Sequence, residues 1–301
     1  MNTTETLKLV GTYLPREVRE SLLRLDERYR QQVQEIRLRA GRQVCLTLAG
    51  GNAFLCADGT LSASPDAALC LTQEAVSQCL QAVMSYSLHS HTDDLAAGFV
   101  TIRGGCRVGL CGTAVRDGER IHSLRQVSSL NFRIAGAFPG IAENAFRQTG
   151  ACGSLLVCGA PGSGKTTYLR DLCRLLGDRH RTCLIDERGE LAAVYQGVAQ
   201  HDVGHLTDVL DGYPRALGIL TALRVLNPEH ILCDELSTQE DVEAVLAAAG
   251  CGVALSASVH AGSLDELQAR PLLAPLFGQK VFRYAVMLTS PGTVGSIRRV
   301  S

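Results

Sequence analysis

The chain has 301 residues, a formal net charge of −1 and 46% hydrophobic residues, which predicts a globular protein of one large or two ordinary domains. With a pI of about 6.7 it has no general attraction to nucleic acid or anionic membranes. Residues 1–10 include Glu5 and Lys8 and lack an apolar core, so neither a signal peptide nor a membrane span is predicted. The twelve cysteines form no C-x-x-C pair, and several lie in apolar runs, which favours free thiols in a reducing cytosol.

The first half of the chain predicts an α+β domain with a largely antiparallel sheet, because its strand-like runs alternate and are separated by turn residues. We expect a helix over 15–32 with Pro15 in its first turn, followed by a hairpin over 35–48 that turns at Gly41-Arg42. A second helix is predicted from the N-cap Thr72 to about Met84, and a short one over 90–97. A hairpin over 98–113 that turns at Gly104-Gly105, a turn at Asp117-Gly118 and a strand over 128–134 complete the predicted elements. His89, His91 and His122 have no cysteine or carboxylate at metal-ligand spacing, so we interpret them as surface histidines.

The most informative stretch matches the pattern G-x-x-x-x-G-K-[ST], the P-loop that surrounds nucleotide phosphates. It consists of Gly159, Ala160, Pro161, Gly162, Ser163, Gly164, Lys165 and Thr166, followed by Thr167. A short apolar run precedes it and a helical pattern follows it, with Gly177 as the predicted C-terminal cap. Glycines let the backbone amides and the helix N-terminus approach an anion. Lys165 is expected to contact the β- and γ-phosphates, and the Thr166 hydroxyl to hold Mg²⁺.

From residue 151 onward strands alternate with helices, the pattern of a parallel sheet. The predicted elements are strands over 181–185, 231–233 and 253–258, helices over 214–226 and 239–249, and a hairpin over 281–300. The strand over 231–233 ends in Asp234-Glu235, which in this context predicts the second nucleotide-handling motif. Asp234 would orient the metal ion, and Glu235 would polarise the water that attacks the γ-phosphate. His260 follows the next strand and could sense that phosphate.

These residues resemble the stage III sporulation protein AA family of endospore-forming bacteria, which is similar to the RecA-like ATPases of type II and type IV secretion and pilus systems. The resemblance extends over most of the chain. Its carriers are the runs 35–39, 98–112, 128–134, 159–166, 186–188, 207–211 and 234–235. Asp186, Glu187 and Glu190 match the acidic box of the secretion ATPases, and residues 259–263 resemble their histidine box, so Glu187, Glu190 and His260 join Glu235 as candidate catalytic residues.

The chain departs from the family pattern at positions where arginine is usual. It has Gly136, Leu206 and Thr238 there, and Ser237 where glycine is usual. Losing arginines that stabilise transition-state charge would slow hydrolysis. The arginines that remain as candidates for this role are Arg107, Arg133, Arg188, Arg215 and Arg224. Of these, Arg133 and Arg107 are expected to approach the nucleotide from the N-terminal domain.

We therefore expect an N-terminal α+β domain over 1–135, an inter-domain segment over 136–150 and a RecA-like P-loop ATPase domain over 151–301. The residues predict binding of ATP with Mg²⁺ and its hydrolysis. The resemblance implies a cytoplasmic homo-oligomer, a hexameric ring, peripheral to the membrane on the mother-cell side. There it would energise a secretion-like machine through an integral membrane partner during endospore formation.

Two alternatives stay open. One is a nucleotide-gated structural subunit with little hydrolysis, motivated by the missing arginines. The other is a nucleic-acid motor, disfavoured by the near-neutral charge and the lack of basic-aromatic clusters. An ABC-type ATPase is disfavoured because no L-S-G-G-Q-like signature is present, and a small-molecule kinase would more often lack the adjacent Asp-Glu.

Overall fold

The computed structural model describes residues 3–84, 98–118, 120–134, 136, 138–149, 153–290 and 293–300. The chain divides into two compact units, Met1–Ala137 and Phe138–Ser301. The first has an antiparallel sheet with helices, and the second a mainly parallel sheet, so the predicted fold class is confirmed. No helix in the described part of the chain is long and apolar enough to cross a bilayer. Every described cysteine is a free thiol.

The first unit contains four described helices around a seven-stranded sheet. The helices are α1 (Thr3–Gly11), α2 (Arg16–Arg24), α3 (Glu27–Arg30) and α4 (Gln73–Val83). The strands are β1 (Val33–Arg39), β2 (Arg42–Gln43), β3 (Cys45–Leu48), β4 (Gly51–Leu55), β5 (Leu61–Ser62), β6 (Cys70–Leu71), β7 (Phe99–Ile102), β8 (Cys106–Asp117) and β9 (Arg120–Arg133). The sheet order is β5-β4-β3-β1-β9-β8-β7, and β2 pairs separately with β6.

One face of this sheet forms the core of the first unit, because apolar residues alternate along its strands. In β1, Ile36 and Leu38 are fully buried, whereas Glu35, Arg37 and Arg39 point to the other face. Buried side chains of α1, α2 and α4 belong to the same core. The opposite face carries charged residues such as Glu35, Arg37, Arg107 and Arg133, together with Phe99.

Two predictions in this unit are wrong and one lies outside the described residues. Residues 15–32 form two helices, because Leu25 is extended with ψ 135° and Asp26 starts α3 by accepting a hydrogen bond from the Arg28 amide. Pro15 precedes α2 and is not in its first turn. The helix expected over 90–97, together with His89 and His91, falls outside the described residues, as does the side chain of His122. The N-cap Thr72, the hairpin turn at Gly104-Gly105 and the turn at Asp117-Gly118 are confirmed. The hairpin of β1 with β3 is also confirmed, with Gly41 in a turn, but Arg42 lies in the short strand β2 that pairs with β6.

The second unit has a seven-stranded sheet in the order β12-β11-β13-β14-β10-β15-β16. Its strands are β10 (Leu155–Gly159), β11 (Thr182–Asp186), β12 (Thr207–Asp211), β13 (His230–Glu235), β14 (Ala254–Val259), β15 (Tyr284–Ser290) and β16 (Thr293–Arg299). Its helices are α5 (Glu143–Thr149), α6 (Lys165–Gly177), α7 (Arg215–Val225), α8 (Gln239–Gly250), α9 (Leu264–Gln268) and α10 (Ala274–Gly278), with a 3₁₀ turn at Pro271–Leu273. Only the pairing of β15 with β16 is antiparallel.

Helices cover both faces of this sheet, so its central strands are buried on both sides and consist of continuous apolar runs. Every residue of β10 and β11 is buried. On one face Cys158 and Ile185 belong to a core with residues of α7 and α8; on the other Val157 and Leu184 pack with residues of α5 and α6. Residues 138–149, which the sequence analysis placed between domains, lie in this second unit, where the Ala142 amide donates to Asp171 of α6 at 2.9 Å.

Gly177 does not cap α6 as predicted. It is the last residue of the helix, and Asp178 follows it in the right-handed region. A Cβ at this position would overlap the Thr207 hydroxyl and lie 2.5 Å from the Val203 carbonyl oxygen. Glycine is therefore required by the close approach of α6 to residues 203–207.

Candidate nucleotide site

The carboxyl ends of four neighbouring parallel strands bring the predicted site residues to one edge of the second sheet. The strands are adjacent in the order β11-β13-β14-β10. Glu187 follows β11, Asp234 and Glu235 end β13, His260 follows β14, and the glycine loop follows β10. Residues separated by up to a hundred positions in sequence therefore meet where open α/β sheets bind ligands.

The glycine loop has the predicted arrangement of strand, loop and helix. β10 ends at Gly159 and α6 begins at Lys165. Gly162 and Gly164 have φ angles of +76° and +87°, which residues with a Cβ rarely adopt. Ala160 and Pro161 are exposed on the outside of the loop, Ser163 is buried, and Thr166 and Thr167 are half-buried in the first turn of α6. The N-terminus of α6 thus opens onto the sheet edge with its unpaired amides, the geometry that favours an anion.

The ammonium group of Lys165 is held by three acceptors. Its side chain is only 7% exposed. Nζ lies 2.9 Å from the Gly159 carbonyl oxygen, 3.0 Å from the Ala160 carbonyl oxygen and 2.8 Å from His260 Nδ1. Because an ammonium has three N–H donors and no acceptor, Nδ1 of His260 accepts this hydrogen bond.

The same histidine reaches the carboxylate on the next strand. His260 Nε2 lies 2.9 Å from Glu235 Oε2. With Nδ1 accepting from Lys165, Nε2 carries the proton and donates to Glu235. Burial lowers the pKa of Lys165, and the carboxylates of Glu235 and Asp234 oppose that shift by favouring its charged form. Lys165, His260 and Glu235 therefore form a continuous polar chain from the glycine loop to β13.

Asp234 is a buried carboxylate with spare acceptor capacity. It is 6% exposed, and Ser258 Oγ donates to its Oδ1 at 3.3 Å. Burial raises its pKa, and nearby Glu190 raises it further, while Arg188 and Arg215 lower it. A buried carboxylate with one hydroxyl partner has room for a cation, which would favour its charged form.

The chemistry of the donors fits Mg²⁺. Carboxylate and hydroxyl oxygens are the ligands this ion prefers, and in nucleotide sites it takes one or two from the protein and the rest from phosphates and water. Asp234 and the Thr166 hydroxyl are of these types and lie on the predicted strand and helix ends. The described residues contain no cluster of three or more His, Cys, Asp or Glu side chains that could hold a metal ion.

The three acidic-box residues have different surroundings. Asp186 is 1% exposed, and its carboxylate accepts hydrogen bonds from the amides of Glu190, Leu191 and Ala192 at 2.8, 3.0 and 2.8 Å. It therefore shapes the loop after β11. Glu187 makes an ion pair with Arg215 at 3.1 Å. The carboxylate of Glu190 acts on Asp234 through its charge.

The candidate arginines divide by unit. In the first unit, Arg107 and Arg133 are opposite each other on β8 and β9. The Arg107 guanidinium stacks on the Phe99 ring at 4.4 Å, and Arg133 is 65% exposed with Nε 3.9 Å from Glu35 Oε1. Arg133 is therefore available on the polar face of the sheet.

In the second unit, Arg188 and Arg224 are exposed, whereas Arg215 is 7% exposed and paired within its own chain. The Arg215 guanidinium is thus engaged by carboxylates of its own chain. The departure from the family pattern at Thr238 has a local explanation, whereas nothing in the structure explains Leu206. Thr238 is the N-cap of α8 and forms a capping box with Asp241. Leu206 is 49% exposed, while its amide bonds to the Gly177 carbonyl.

Sequence reasoning missed two polar residues of this edge. Ser258 was interpreted only as part of a strand, and Arg215 only as a possible finger. Ser258 is opposite Glu235 in the pairing of β13 with β14, and its hydroxyl reaches the adjacent Asp234. The register between β13 and β14 is set by packing, so no local pattern in the sequence predicts it.

The sequence of this chain is similar to those of known proteins. A family model for "Sporulation stage III, protein AA" matches residues 6–301. Stage III sporulation protein AA of Bacillus subtilis (strain 168) is 34% identical over 299 residues, which cover 96% of this chain and 94% of that protein.

Solved structures show the same architecture at low identity. The pilus retraction motor PilT with bound ADP superposes with a TM-score of 0.60 at 18% identity, over 90% of this chain and 76% of that one. The ATPase DotB of Legionella pneumophila gives a TM-score of 0.54 at 16% identity, over 85% and 72% of the two chains. These likenesses show a RecA-like fold shared with the pilus retraction motor and the ATPase DotB. The family match over nearly its whole length and the 34% identity with the Bacillus subtilis protein show that the chain belongs to the sporulation stage III protein AA family.

Proposed function

We propose that this protein binds ATP with Mg²⁺ and hydrolyses it at the carboxyl edge of its parallel sheet, and that it is a motor subunit of a secretion-like machine during endospore formation. The observation that carries the proposal is the polar chain Lys165–His260–Glu235. It connects a phosphate-type glycine loop to a carboxylate that could act as general base.

Phosphate binding would use the residues of the loop, from Gly159 to Thr167. The amides at the N-terminus of α6 attract negative charge, and the Lys165 ammonium lies at the same point. The carbonyl oxygens that now accept from Lys165 are neutral, whereas a phosphate oxygen carries negative charge and adds direct Coulomb attraction to the hydrogen bond. A γ-phosphate would thus draw the ammonium away from Gly159 and Ala160.

Mg²⁺ would be held by Thr166 and Asp234, and it would neutralise charge on the β- and γ-phosphate oxygens. Asp234 suits this role because it is buried, anionic when paired with a cation, and held in place by Ser258. Its neighbour Glu235 is 25% exposed and can reach water.

Glu235 would accept a proton from the attacking water as general base. In the structure it accepts from His260, which in turn accepts from Lys165. Movement of Lys165 toward a γ-phosphate would break its hydrogen bond to His260 Nδ1. The hydrogen bond from His260 Nε2 to Glu235 would then change as well. His260 would thereby report the presence of that phosphate to the base. Glu187 and Glu190 are the alternative carboxylates for this step, on the neighbouring strand end.

The two compact units would be the two functional domains, with the first contributing arginines to the nucleotide. The exposed guanidinium of Arg133, beside Arg107 on one sheet face, supports this role.

Since Arg215 is paired within its own chain, positive charge for the transition state would come from elsewhere, and a neighbouring subunit can supply it. We propose a closed ring, a hexamer, at the cytoplasmic face of the membrane, bound to an integral membrane partner and not to nucleic acid.

The second candidate function is a nucleotide-gated subunit with little hydrolysis. It is favoured by the capping role of Thr238 and by the exposed apolar Leu206, at positions where related ATPases carry arginine. In this case ATP would bind as proposed, but phosphate release would stay slow even with a partner.

Calorimetric titration with ATP and Mg²⁺ tests the shared first step. We expect wild-type protein to bind and Lys165→Ala to lose measurable binding. Lys8→Ala is the matched control, because Lys8 is exposed on α1 of the other unit. Equal affinity of the wild-type protein and Lys165→Ala would refute the assignment of the loop.

A further inference from the structure

A buried arginine connects two of the loops at the candidate nucleotide site. Arg215 is the first residue of α7, and only 7% of it is exposed. Burying a guanidinium is costly unless it is paired with opposite charge and hydrogen-bonded. Its position is therefore maintained by the groups around it.

Those groups follow two neighbouring strands, β11 and the Asp234-Glu235 strand β13. Arg215 Nη2 lies 3.1 Å from Glu187 Oε2 and donates to Ser237 Oγ at 3.2 Å. Its Nε lies 3.4 Å from Asp241 Oδ2. Glu187 follows β11, whereas Ser237 and Asp241 follow β13, so a single guanidinium holds the two strand ends together.

The contact with Asp241 extends to the backbone after Glu235. Oδ2 of Asp241 accepts from the amides of Ser237 and Thr238 at 3.0 and 3.1 Å. Arg215 thus supports the turn that leaves β13 two residues beyond Glu235. At the same time it pairs with the carboxylate of Glu187, the residue that follows the neighbouring strand β11.

We infer that Arg215 is a positioning residue for ATP hydrolysis: it pins Glu187 and the turn after Glu235, so that Glu235 rather than Glu187 acts as the base. The inference rests on the proposed function. It assigns Arg215 a role within its own chain, in contrast to an arginine finger, and makes Glu187 a structural partner of the base.

The planar fork of arginine is needed for this geometry. One nitrogen contacts Glu187 and Ser237 while another faces Asp241, which a point charge on a flexible stem cannot do at once. Lysine at this position would keep the charge but lose part of the arrangement.

The test compares Arg215→Gln and Arg215→Lys with wild-type protein in ATP affinity and in turnover. Because a displacement of ~1 Å at a catalytic group can cost about 10²-fold, we expect Arg215→Gln to lose roughly a hundredfold in kcat, with ATP affinity within about threefold. Arg215→Lys should recover part of the lost rate. Arg174→Gln is the control, because Arg174 also forms an ion pair with a buried aspartate, Asp171 at 2.7 Å, away from this edge.

A double-mutant cycle separates positioning from general destabilisation. If Arg215 acts through Glu187, adding Glu187→Gln to Arg215→Gln should cost little further in kcat, whereas independent effects would multiply. Ser237→Ala removes one hydrogen bond and keeps the ion pairs, so it should fold if Arg215→Gln does not, with a loss of about three- to tenfold. Turnover of Arg215→Gln within about twofold of wild type, or multiplying effects in the cycle, would overturn the inference.

Hydrogen exchange makes the inference independent of turnover. In the ATP-bound protein, Arg215→Gln should increase amide exchange in residues 187–191 and 237–241 together, and Arg174→Gln should leave both unchanged. Exchange that rises in only one of the two segments would refute the connection. Wild-type protein that binds ATP without releasing phosphate would refute the proposed hydrolysis, while this exchange result would still decide the link made by Arg215.

Discussion

The packing of Gly177 at the end of α6 gives a stability prediction of definite sign. A methyl group there would overlap the Thr207 hydroxyl and approach the Val203 carbonyl oxygen to 2.5 Å. Those two atoms already form a hydrogen bond of 2.6 Å with each other. Because the backbone carbonyl is fixed, Gly177→Ala must push α6 away from residues 203–207 or break this bond.

The expected loss in free energy of unfolding follows from two opposing effects. Overpacking of a well-filled site costs about 1–3 kcal/mol. Replacing a helical glycine by alanine returns about 0.5–1 kcal/mol. The net expectation is a loss of ~1–2 kcal/mol. That corresponds to about 2–4 °C in Tm for each kcal/mol in a domain of this size.

Gly250→Ala is the matched control. Gly250 is the last residue of α8, as Gly177 is of α6, but a Cβ there meets nothing within 4 Å. We expect this change to raise stability by about 0.4–1 kcal/mol. Both variants are compared with wild type by urea unfolding followed by circular dichroism. If Gly177→Ala is as stable as wild type, or if both changes have the same sign, the close packing described for α6 is incorrect.

Three further predictions concern the candidate site. His260→Ala should retain ATP binding in calorimetry and lose about three- to tenfold in turnover, because one hydrogen bond of 0.5–1.5 kcal/mol orients Glu235; an unchanged rate would remove His260 from the site. Ser258→Ala should raise the Mg²⁺ concentration needed for half-maximal turnover, since it leaves the buried Asp234 without its hydroxyl donor; an unaltered Mg²⁺ titration would contradict the metal role of Asp234. Specific activity should rise steeply with protein concentration, and Arg133→Ala should reduce turnover more than ATP affinity, while the exposed Arg125→Ala on the same strand should change neither; concentration-independent activity from a sedimenting monomer would refute the ring.

Much of the second unit could be predicted because its signals are local. Buried parallel strands are continuous apolar runs, and the glycine loop has a fixed spacing, so the strands, their helices and the strand–loop–helix arrangement are confirmed. The order of strands along the sheet is not local. Adjacency of β14 to both β13 and β10 is what brings His260 between Lys165 and Glu235.

The errors arise where tertiary contacts override a local pattern. The helical period over 15–32 continues through Leu25, but the Leu25 side chain is 1% exposed in the core and the backbone turns there. Gly177 has the sequence setting of a helix cap, whereas its actual requirement is space beside residues 203–207. In the sequence, Arg215 looks like any surface arginine after a proline. Its carboxylate partners, Glu187 and Asp241, are brought next to it only by the fold.

Release of phosphate by wild-type protein and by Glu235→Gln, at the same protein concentration and saturating ATP with Mg²⁺, tests the central claim most directly. The account predicts that wild-type protein releases phosphate and that Glu235→Gln, which keeps the shape of the side chain but not its basicity, binds ATP and releases none. Turnover at the wild-type rate in Glu235→Gln would contradict the assignment of the base to β13.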